Sequence, residues 1–101
     1  MQIKTGTYAG DGNATQAITG VTFQPDIVII TNDSTYHSVW RHKDMTAGNA
    51  LFLTNASSLT ASIINSLDAD GFTVGNNDSS NKSGIDYYYL CDRDWETRYR
   101  L

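Results

Sequence analysis

The sequence has little of several residue types on which common folds depend. Among 101 residues there are one cysteine, one proline, three lysines and a single glutamate. One cysteine, Cys91, excludes an internal disulfide framework and a cysteine-rich metal site. Helix surfaces are normally filled with Glu, Lys, Gln and Arg, so the shortage of these residues argues against a mostly helical fold.

Long apolar runs and an excess of positive charge are also missing. The apolar run at residues 27–30 is far shorter than a membrane span, and the chain does not open with the pattern of a signal peptide. The formal net charge is −4. Because phosphate binding needs a basic surface, this charge argues against nucleic acid as a partner. We therefore expect neither membrane insertion nor nucleic-acid binding.

What the chain does contain is typical of strands and turns. It has twelve Thr, nine Ser and eight Asn, and 40% of its residues are hydrophobic. Thr, Tyr, Ile and Val favour strands, whereas Asn, Asp, Gly and Ser favour the turns between them. Short apolar segments alternate with turn signals along the chain. The sequence predicts a single all-β domain, an antiparallel β-sandwich of about six to eight short strands.

Three segments carry specific structural expectations. Residues 27–30 are apolar without alternation, which predicts a strand covered on both faces at the centre of the core. Residues 68–71 read Asp-Ala-Asp-Gly, a hairpin signal in which the glycine supplies a positive φ. Residues 76–84 are mostly Asn, Asp and Ser, which predicts a solvated loop.

The last predicted strand ends at Cys91. Its alternation places Tyr87, Tyr89 and Cys91 on one face of a sheet and Tyr88 and Leu90 on the other. A cysteine in such a position usually behaves as a small buried hydrophobe.

The composition changes abruptly after this strand, so we divide the chain into a sandwich domain at 1–91 and a charged, aromatic arm at 92–101. The arm has three acidic and three basic residues in ten. Such a segment is a disordered end, docks on a partner or packs on its own domain. Aromatic residues and arginine are preferred anchors of interfaces, which favours docking. The candidate anchors are Arg93, Trp95, Arg98, Tyr99 and Leu101.

Residue patterns for catalysis or metal binding are weak. His37 and His42 are five residues apart, so on one strand they point to opposite faces and do not converge on a metal with Asp44. Asp68 and Asp70 are close in sequence, but they lie in the hairpin signal, where aspartate has a structural role. We expect a protein that is not an enzyme and needs no cofactor or metal.

Aromatic and amide side chains could instead contact a sugar or a receptor. The candidates are Tyr36, Trp40 and the loop residue Asn77. The alternative for the aromatic residues is that they belong to the core, which is the commoner fate of aromatic residues on strands.

An ordered set of motifs resembles a known domain. Over roughly residues 3 to 91, the chain resembles a β-sandwich domain of bacteriophage and prophage structural proteins, and it is loosely similar to the H-type lectin fold. The motifs are KTGTYAGDG at 4–12, ITGV at 18–21, FQPDIVII at 23–30, VWR at 39–41, SLDADGFTVG at 66–75, SG at 83–84 and YYY at 87–89.

This resemblance implies a virion protein assembled in the bacterial cytoplasm. A small copy of the domain suits a capsid decoration (cement) protein that binds the major capsid protein, or other virion proteins, on the outer capsid surface. The likeness to the H-type lectin fold implies a homo-oligomer, specifically a trimer. The alternative is a module of a tail fibre or tail tip that binds a cell-surface glycan or another receptor.

Overall fold

A computed structural model describes residues 2–53 and 58–93 of the chain. Within these ranges, nine strands and one short helix follow one another. They are β1 (Gln2–Ala9), β2 (Gln16–Ile18), β3 (Ile27–Asn32), β4 (Val39–His42), β5 (Asn49–Phe52), β6 (Thr60–Ala61), β7 (Ile64–Asp68), β8 (Gly71–Val74), α1 (Asp78–Asn81) and β9 (Asp86–Arg93).

The strands form two antiparallel sheets. The larger sheet has the order β1-β9-β3-β4-β5-β6, and the smaller has the order β2-β8-β7. A single cluster of buried apolar residues from both sheets fills the space between them. The predicted all-β antiparallel sandwich is therefore confirmed. None of the described residues form a helix that could span a membrane.

Aromatic rings make up much of the core. The Tyr8 ring stacks on Tyr87 at 5.2 Å between centroids, and Phe72 of the small sheet meets Tyr89 edge-on at 5.3 Å. Tyr87, Tyr89 and Cys91 are buried, whereas Tyr88 and Leu90 are exposed, so the predicted alternation along the last strand is confirmed. Edge-to-face and offset ring pairs of this kind join the two sheets beyond what burial alone contributes.

The hairpin at residues 68–71 is also confirmed. It connects β7 to β8, and Gly71 has a positive φ. A Cβ atom at Gly71 would collide with the carbonyl oxygen of Ile18 on the neighbouring strand β2. The Asp70 carboxylate accepts hydrogen bonds from the backbone N–H groups of Gly20 (3.0 Å) and Thr22 (2.7 Å). The turn therefore connects the hairpin to the segment that follows β2.

The expectation that residues 27–30 are covered on both faces is wrong. Val28 and Ile30 are fully buried between the sheets, but Ile27 and Ile29 are only half-buried. The reason is architectural: β3 lies in the larger layer of a two-layer sandwich. Within the described part of the chain no third layer covers its other side.

The expectation of a solvated loop at 76–84 is also wrong in its centre. The segment contains α1, in which Ser79, Ser80 and Asn81 are buried. Asn81 accepts a hydrogen bond from the backbone N–H of Asp11 and donates to the Asp11 carboxylate (2.9 Å) and to the carbonyl oxygen of Asn13 (3.2 Å). The polar residues in the centre of 76–84 therefore form a buried hydrogen-bond network with the segment after β1.

Candidate functional site

An apolar row crosses the outer face of the six-stranded sheet, by which we mean the side turned away from the small sheet. In the register of the strands, Thr5 pairs with Leu90, Leu90 with Ile29, Ile29 with Trp40, and Trp40 with Leu51. Side chains at paired positions lie on the same side of a sheet. The row therefore runs across five strands, β1, β9, β3, β4 and β5, and four of its five residues are apolar.

The outer face is open to solvent on strands β1 and β9. Tyr88 is 47% exposed, Leu90 is 38% exposed, and Ile3 is 53% exposed. A shallow groove of about 570 Å³ lies over this region, and its lining includes Thr5, Thr7, Ile29, Thr31, Tyr88 and Leu90. An apolar groove on the open face of a sheet is a candidate binding surface.

Acidic residues flank this apolar surface. Asp86 and Asp92 occupy outer-face positions at the two ends of β9, with Tyr88 and Leu90 between them. In the described residues of β1, β9, β3 and β4, no outer-face position is a lysine or an arginine. The outer face thus has an apolar centre and acidic ends.

The predicted glycan contacts do not converge. Trp40 lies half-buried in the apolar row on the outer face. Tyr36 lies in the connection between β3 and β4, where its carbonyl oxygen accepts a hydrogen bond from Asn32 Nδ2 (2.9 Å). Asn77 caps α1, and its side-chain oxygen accepts from the backbone N–H of Ser79 (2.8 Å). Of the three, Trp40 alone lies on a strand of the outer face.

The predicted C-terminal arm is described only at its beginning. Strand β9 continues to Arg93, so Asp92 and Arg93 pair with β1 as part of the sheet. Arg93 Nη1 donates a hydrogen bond to the carbonyl oxygen of Gln24 (3.2 Å). The other candidate anchors lie outside the described residues; they are Trp95, Arg98, Tyr99 and Leu101.

A buried arginine marks a second region, at the end of β4. Arg41 points between the sheets and is only 6% exposed. Its Nη1 donates to the carbonyl oxygens of Thr46 (3.0 Å) and Asn49 (2.6 Å). In the described part of the chain, its buried Nε has no hydrogen-bond partner. A buried donor left unsatisfied costs roughly 1–3 kcal/mol, so it calls for an explanation.

Arg41 lines a cleft of about 290 Å³ between the β4–β5 connection and β7. Burial lowers the pKa of the guanidinium from its ordinary value, but an arginine keeps its charge at neutral pH. The residues around the cleft are mostly polar or charged. Its lining residues besides Arg41 are Gln24, Pro25, Asp26, Lys43, Ala47, Asn65, Ser66 and Leu67.

The titratable residues singled out in the sequence have structural contacts. His42 Nδ1 accepts from the backbone N–H of Asp44 (3.2 Å), and the His37 ring meets Phe52 edge-on. The Asp68 carboxylate accepts from the hydroxyls of Ser66 and Thr73. Over the ranges that the structure describes, no group of three His, Cys, Asp or Glu residues could hold a metal ion.

The family model "Domain of unknown function (DUF7483)" matches residues 2–96. The chain belongs to the DUF7483 family. The match includes every strand of both sheets, so the outer face and the Arg41 cleft both lie inside the DUF7483 domain. No curated protein and no solved structure matches the chain.

Trp40 is the one residue of these two regions that the sequence predicts as a contact. The signal for the outer face was present, because Ile27 and Ile29 are as apolar as Val28 and Ile30, and a two-layer sandwich covers only one of these sets. For the Arg41 cleft there was no comparable signal, since an arginine in a strand is ordinarily a surface residue.

Proposed function

We propose that this chain is a non-enzymatic structural protein of a phage virion, a capsid decoration protein that docks through the outer face of its six-stranded sheet. The apolar row through Leu90 and Ile29 is the observation that supports docking. The virion assignment is supported by the resemblance to phage structural domains described above.

The charge of the outer face favours a partner over a second copy of this chain. Asp86 and Asp92 flank the apolar centre, and the whole chain has a net charge of −4. Two outer faces pressed together would bring carboxylates close to one another, which opposes association. A capsid subunit with an apolar patch and a basic rim is the complementary surface, and that subunit is the partner we propose.

Attachment at several points would strengthen this docking. A small protein with modest contacts to several subunits gains avidity when those subunits are fixed in one lattice. The arm residues Arg93, Trp95, Arg98, Tyr99 and Leu101 are proposed as additional anchors. In a trimer, symmetry would repeat each of these contacts on an equivalent neighbour.

The copy number of the chain per virion tests this function. Quantitative mass spectrometry of purified particles would compare the chain with the major capsid protein. We expect a stoichiometry comparable to that of the capsid protein. A handful of copies would place the chain in the tail, and its absence from purified particles would refute the virion function.

A pair of variants tests the docking face. Leu90→Lys places a charge within the apolar row, at its most exposed apolar residue, whereas Ala17→Lys places the same charge on an exposed position of β2 in the small sheet. We expect Leu90→Lys to weaken binding to capsids that lack the protein by at least about tenfold, because a buried charge is costly. Ala17→Lys should bind normally. Equal binding of both variants would refute the docking face.

Solution mass separates a capsid partner from a second copy. Sedimentation of the free protein and of Leu90→Lys should give the same mass if the outer face meets a capsid subunit. A multimer that Leu90→Lys dissociates would instead show that two copies cover this face.

The exposed ring of Tyr88 favours a second candidate function, a glycan- or receptor-binding module of the tail. Tyr88 is 47% exposed beside the groove, and Trp40 lies in the adjacent row. Aromatic rings of this kind form platforms on which sugars stack. In this case Tyr88→Ala should abolish adsorption to host cells, while removal of residues 94–101 should leave adsorption unchanged.

A further inference from the structure

We propose that residues 94–101 of one copy add a strand to the free edge of β1 in a neighbouring copy, so that the protein assembles into a closed multimer. This contact joins copies of the chain to one another. It goes beyond the docking function, because it uses an edge of the six-stranded sheet and leaves the outer face open for a different partner.

The acceptor of the added strand is β1, which lies at one edge of the six-stranded sheet. Among the described residues it pairs only with β9. In an antiparallel pair, alternate residues direct their backbone N–H and C=O groups away from the partner strand. About half of the eight residues of β1 therefore offer these groups to another strand. Residues 2–5 are exposed on both faces of the sheet.

The other sheet edges in the described ranges are short or irregular. Strand β6 has two residues, β2 has three, and β7 has a register shift of the β-bulge kind. Strand β1 has eight residues, no proline and a single charged residue, Lys4. Natural sheets protect their edges by shortness, bulges, prolines or charges. A long edge with little such protection is where a further strand adds.

The donor of the strand is the segment 94–101. Its sequence is Asp-Trp-Glu-Thr-Arg-Tyr-Arg-Leu, in which charged residues alternate strictly with Trp95, Thr97, Tyr99 and Leu101. Alternation of period two favours a β-strand with one apolar face, and Trp, Thr and Tyr are themselves strand-forming residues. The segment therefore has the pattern of a strand that packs on one side.

This alternation is in phase with that of β9. Steps of two residues from the buried Tyr89 and Cys91 lead to Trp95 and Tyr99. The sequence thus repeats, beyond Arg93, the pattern that places the core residues of β9 on one face. It has the properties of a strand that extends past its own domain.

The neighbours of β9 begin where β9 ends. Gln2 of β1 pairs with Arg93, and Ile27, the first residue of β3, pairs with Asp92. A strand continuing beyond Arg93 would therefore find no further partner strand beside it in the described part of its own chain. Because a single extended strand leaves its backbone groups unpaired, it needs a partner from another molecule.

The length of the segment favours a neighbouring copy over its own β1 edge. To reach its own edge, the segment would have to turn back and cross the start of β1, a distance of two strand spacings, or roughly 10 Å. The crossing would use about three of its eight residues. Extended away from its own domain, the segment keeps all eight residues for pairing and spans roughly 26 Å, enough to follow the whole of β1.

The contact leads to a closed assembly. Donor and acceptor are different parts of the same chain, so each copy gives one strand and receives one. A contact of this heterologous kind forms a ring when its rotation closes. The trimer proposed above is one such ring.

The first test is the solution mass of the full-length protein, measured by sedimentation equilibrium. We expect a multimer of the 11.1 kDa chain. Thr97→Pro removes a backbone N–H group and blocks sheet pairing, so it should weaken association at least about tenfold. Thr97→Val keeps a strand-forming residue and should associate normally. A monomeric unaltered protein, or equal association of the two variants, would overturn the proposal.

Amide hydrogen exchange locates the acceptor edge. In the multimer the outward N–H groups of β1 should be protected, and in Thr97→Pro they should exchange at least about tenfold faster. The amides of β3 are paired with β9 inside each copy and should stay protected, which shows that the variant is folded. Protection of β1 in a monomer would mean that the arm covers its own edge. Dissociation without any change at β1 would place the contact elsewhere, and either result would overturn the proposal.

The docking face provides the matched control. Leu90→Lys changes the outer face and leaves the β1 edge intact, so it should remain multimeric and keep its β1 amides protected. A multimer that Leu90→Lys dissociates and Thr97→Pro does not would overturn strand addition. Loss of capsid binding in Leu90→Lys with an unchanged mass would leave both proposals standing, so the two can fail separately.

Discussion

The two faces of the six-stranded sheet have similar composition but different environments. Tyr87 and Tyr88 are neighbours on β9, yet Tyr87 is fully buried and Tyr88 is 47% exposed. The Tyr87 hydroxyl donates to the carbonyl oxygen of Asp78 (2.6 Å) and accepts from the backbone N–H of Lys82 (2.7 Å). Tyr88 contributes instead to an open groove.

The larger sheet has apolar residues on both of its faces, although the core between the two sheets uses only one face. The inner face is covered by the small sheet, through residues such as Phe72 and Val74. The outer face has the same kind of side chain, but among the described residues nothing covers it. An apolar side chain exposed alone is ordinary, whereas a row of them across four neighbouring strands indicates a surface that meets a partner.

The largest expected effect on stability is the difference between substitutions of Tyr87 and of Tyr88. Tyr87→Ala should lower the free energy of unfolding by about 3–5 kcal/mol, because it leaves a cavity in the core. Tyr88→Ala should lower it by less than about 1 kcal/mol, since only cross-strand contacts are lost. Urea denaturation of both variants measures the difference. Similar losses in both would show that the outer face is covered within the folded protein.

Cysteine labelling compares the accessibility of the two faces at the adjacent positions 90 and 91. Cys91 is buried on the inner face, and burial raises its thiol pKa to about 12. Because the thiolate is the reactive form, Cys91 should react only when the protein opens. In Leu90→Cys the new thiol on the outer face should react at least about 100-fold faster than Cys91. Protection of the new thiol on addition of capsids would identify the outer face as the docked surface.

A smaller loss of stability is expected on removing the side chain of Asn81, a polar residue that is buried in α1. Asn81→Ala removes a side chain that bonds Asp11 and Asn13 from inside α1. The loss should be about 1–3 kcal/mol, because buried partners are left unsatisfied. The exposed neighbour Lys82→Ala is the control and should change stability little. Thermal unfolding of the two variants measures this, and an unaffected Asn81→Ala would mean that water replaces the amide.

The smallest expected effect is the contribution of the Asp70 carboxylate to stability, which depends on pH. The backbone N–H groups of Gly20 and Thr22 hold the pKa of this carboxyl below its ordinary value. The ionised form is therefore favoured by folding, and its contribution is present above the ordinary carboxyl pKa of about 4. This contribution to stability is lost as the pH falls through the lowered pKa that Asp70 has in the folded protein.

The corresponding measurement is the urea midpoint of unfolding as a function of pH. Between about pH 4 and pH 2 the midpoint should fall less in Asp70→Asn than in the unaltered protein. Asp33→Asn controls for the removal of one negative charge from a loop. An identical pH dependence in Asp70→Asn and in the unaltered protein would show that the contact with the segment after β2 does not depend on charge.

Much of the fold could be predicted because it is encoded locally. The alternation from Tyr87 to Cys91 and the turn ending at Gly71 are short-range patterns, and both are confirmed. The helix α1 could not be predicted, because Ser79, Ser80 and Asn81 look like loop residues until their partners across the fold are known.

The candidate sites were less accessible to sequence reasoning. Trp40 was identified as a possible contact and lies on the outer face, but its neighbours in the apolar row come from strands distant in sequence. An arginine on a strand is ordinarily a surface residue, and only the arrangement of the β4–β5 connection around Arg41 shows that it is buried.

The sequence by itself determined the class of the fold, the alternation of side chains along its strands and the positions of its main turns. These properties depend on backbone geometry and on residues close together in the chain. Only the tertiary structure decided which apolar face is covered, which polar segment is buried and which arginine lies beside a cleft. Burial is a property of what packs against a residue, and in this sandwich the packing partners come from distant parts of the chain.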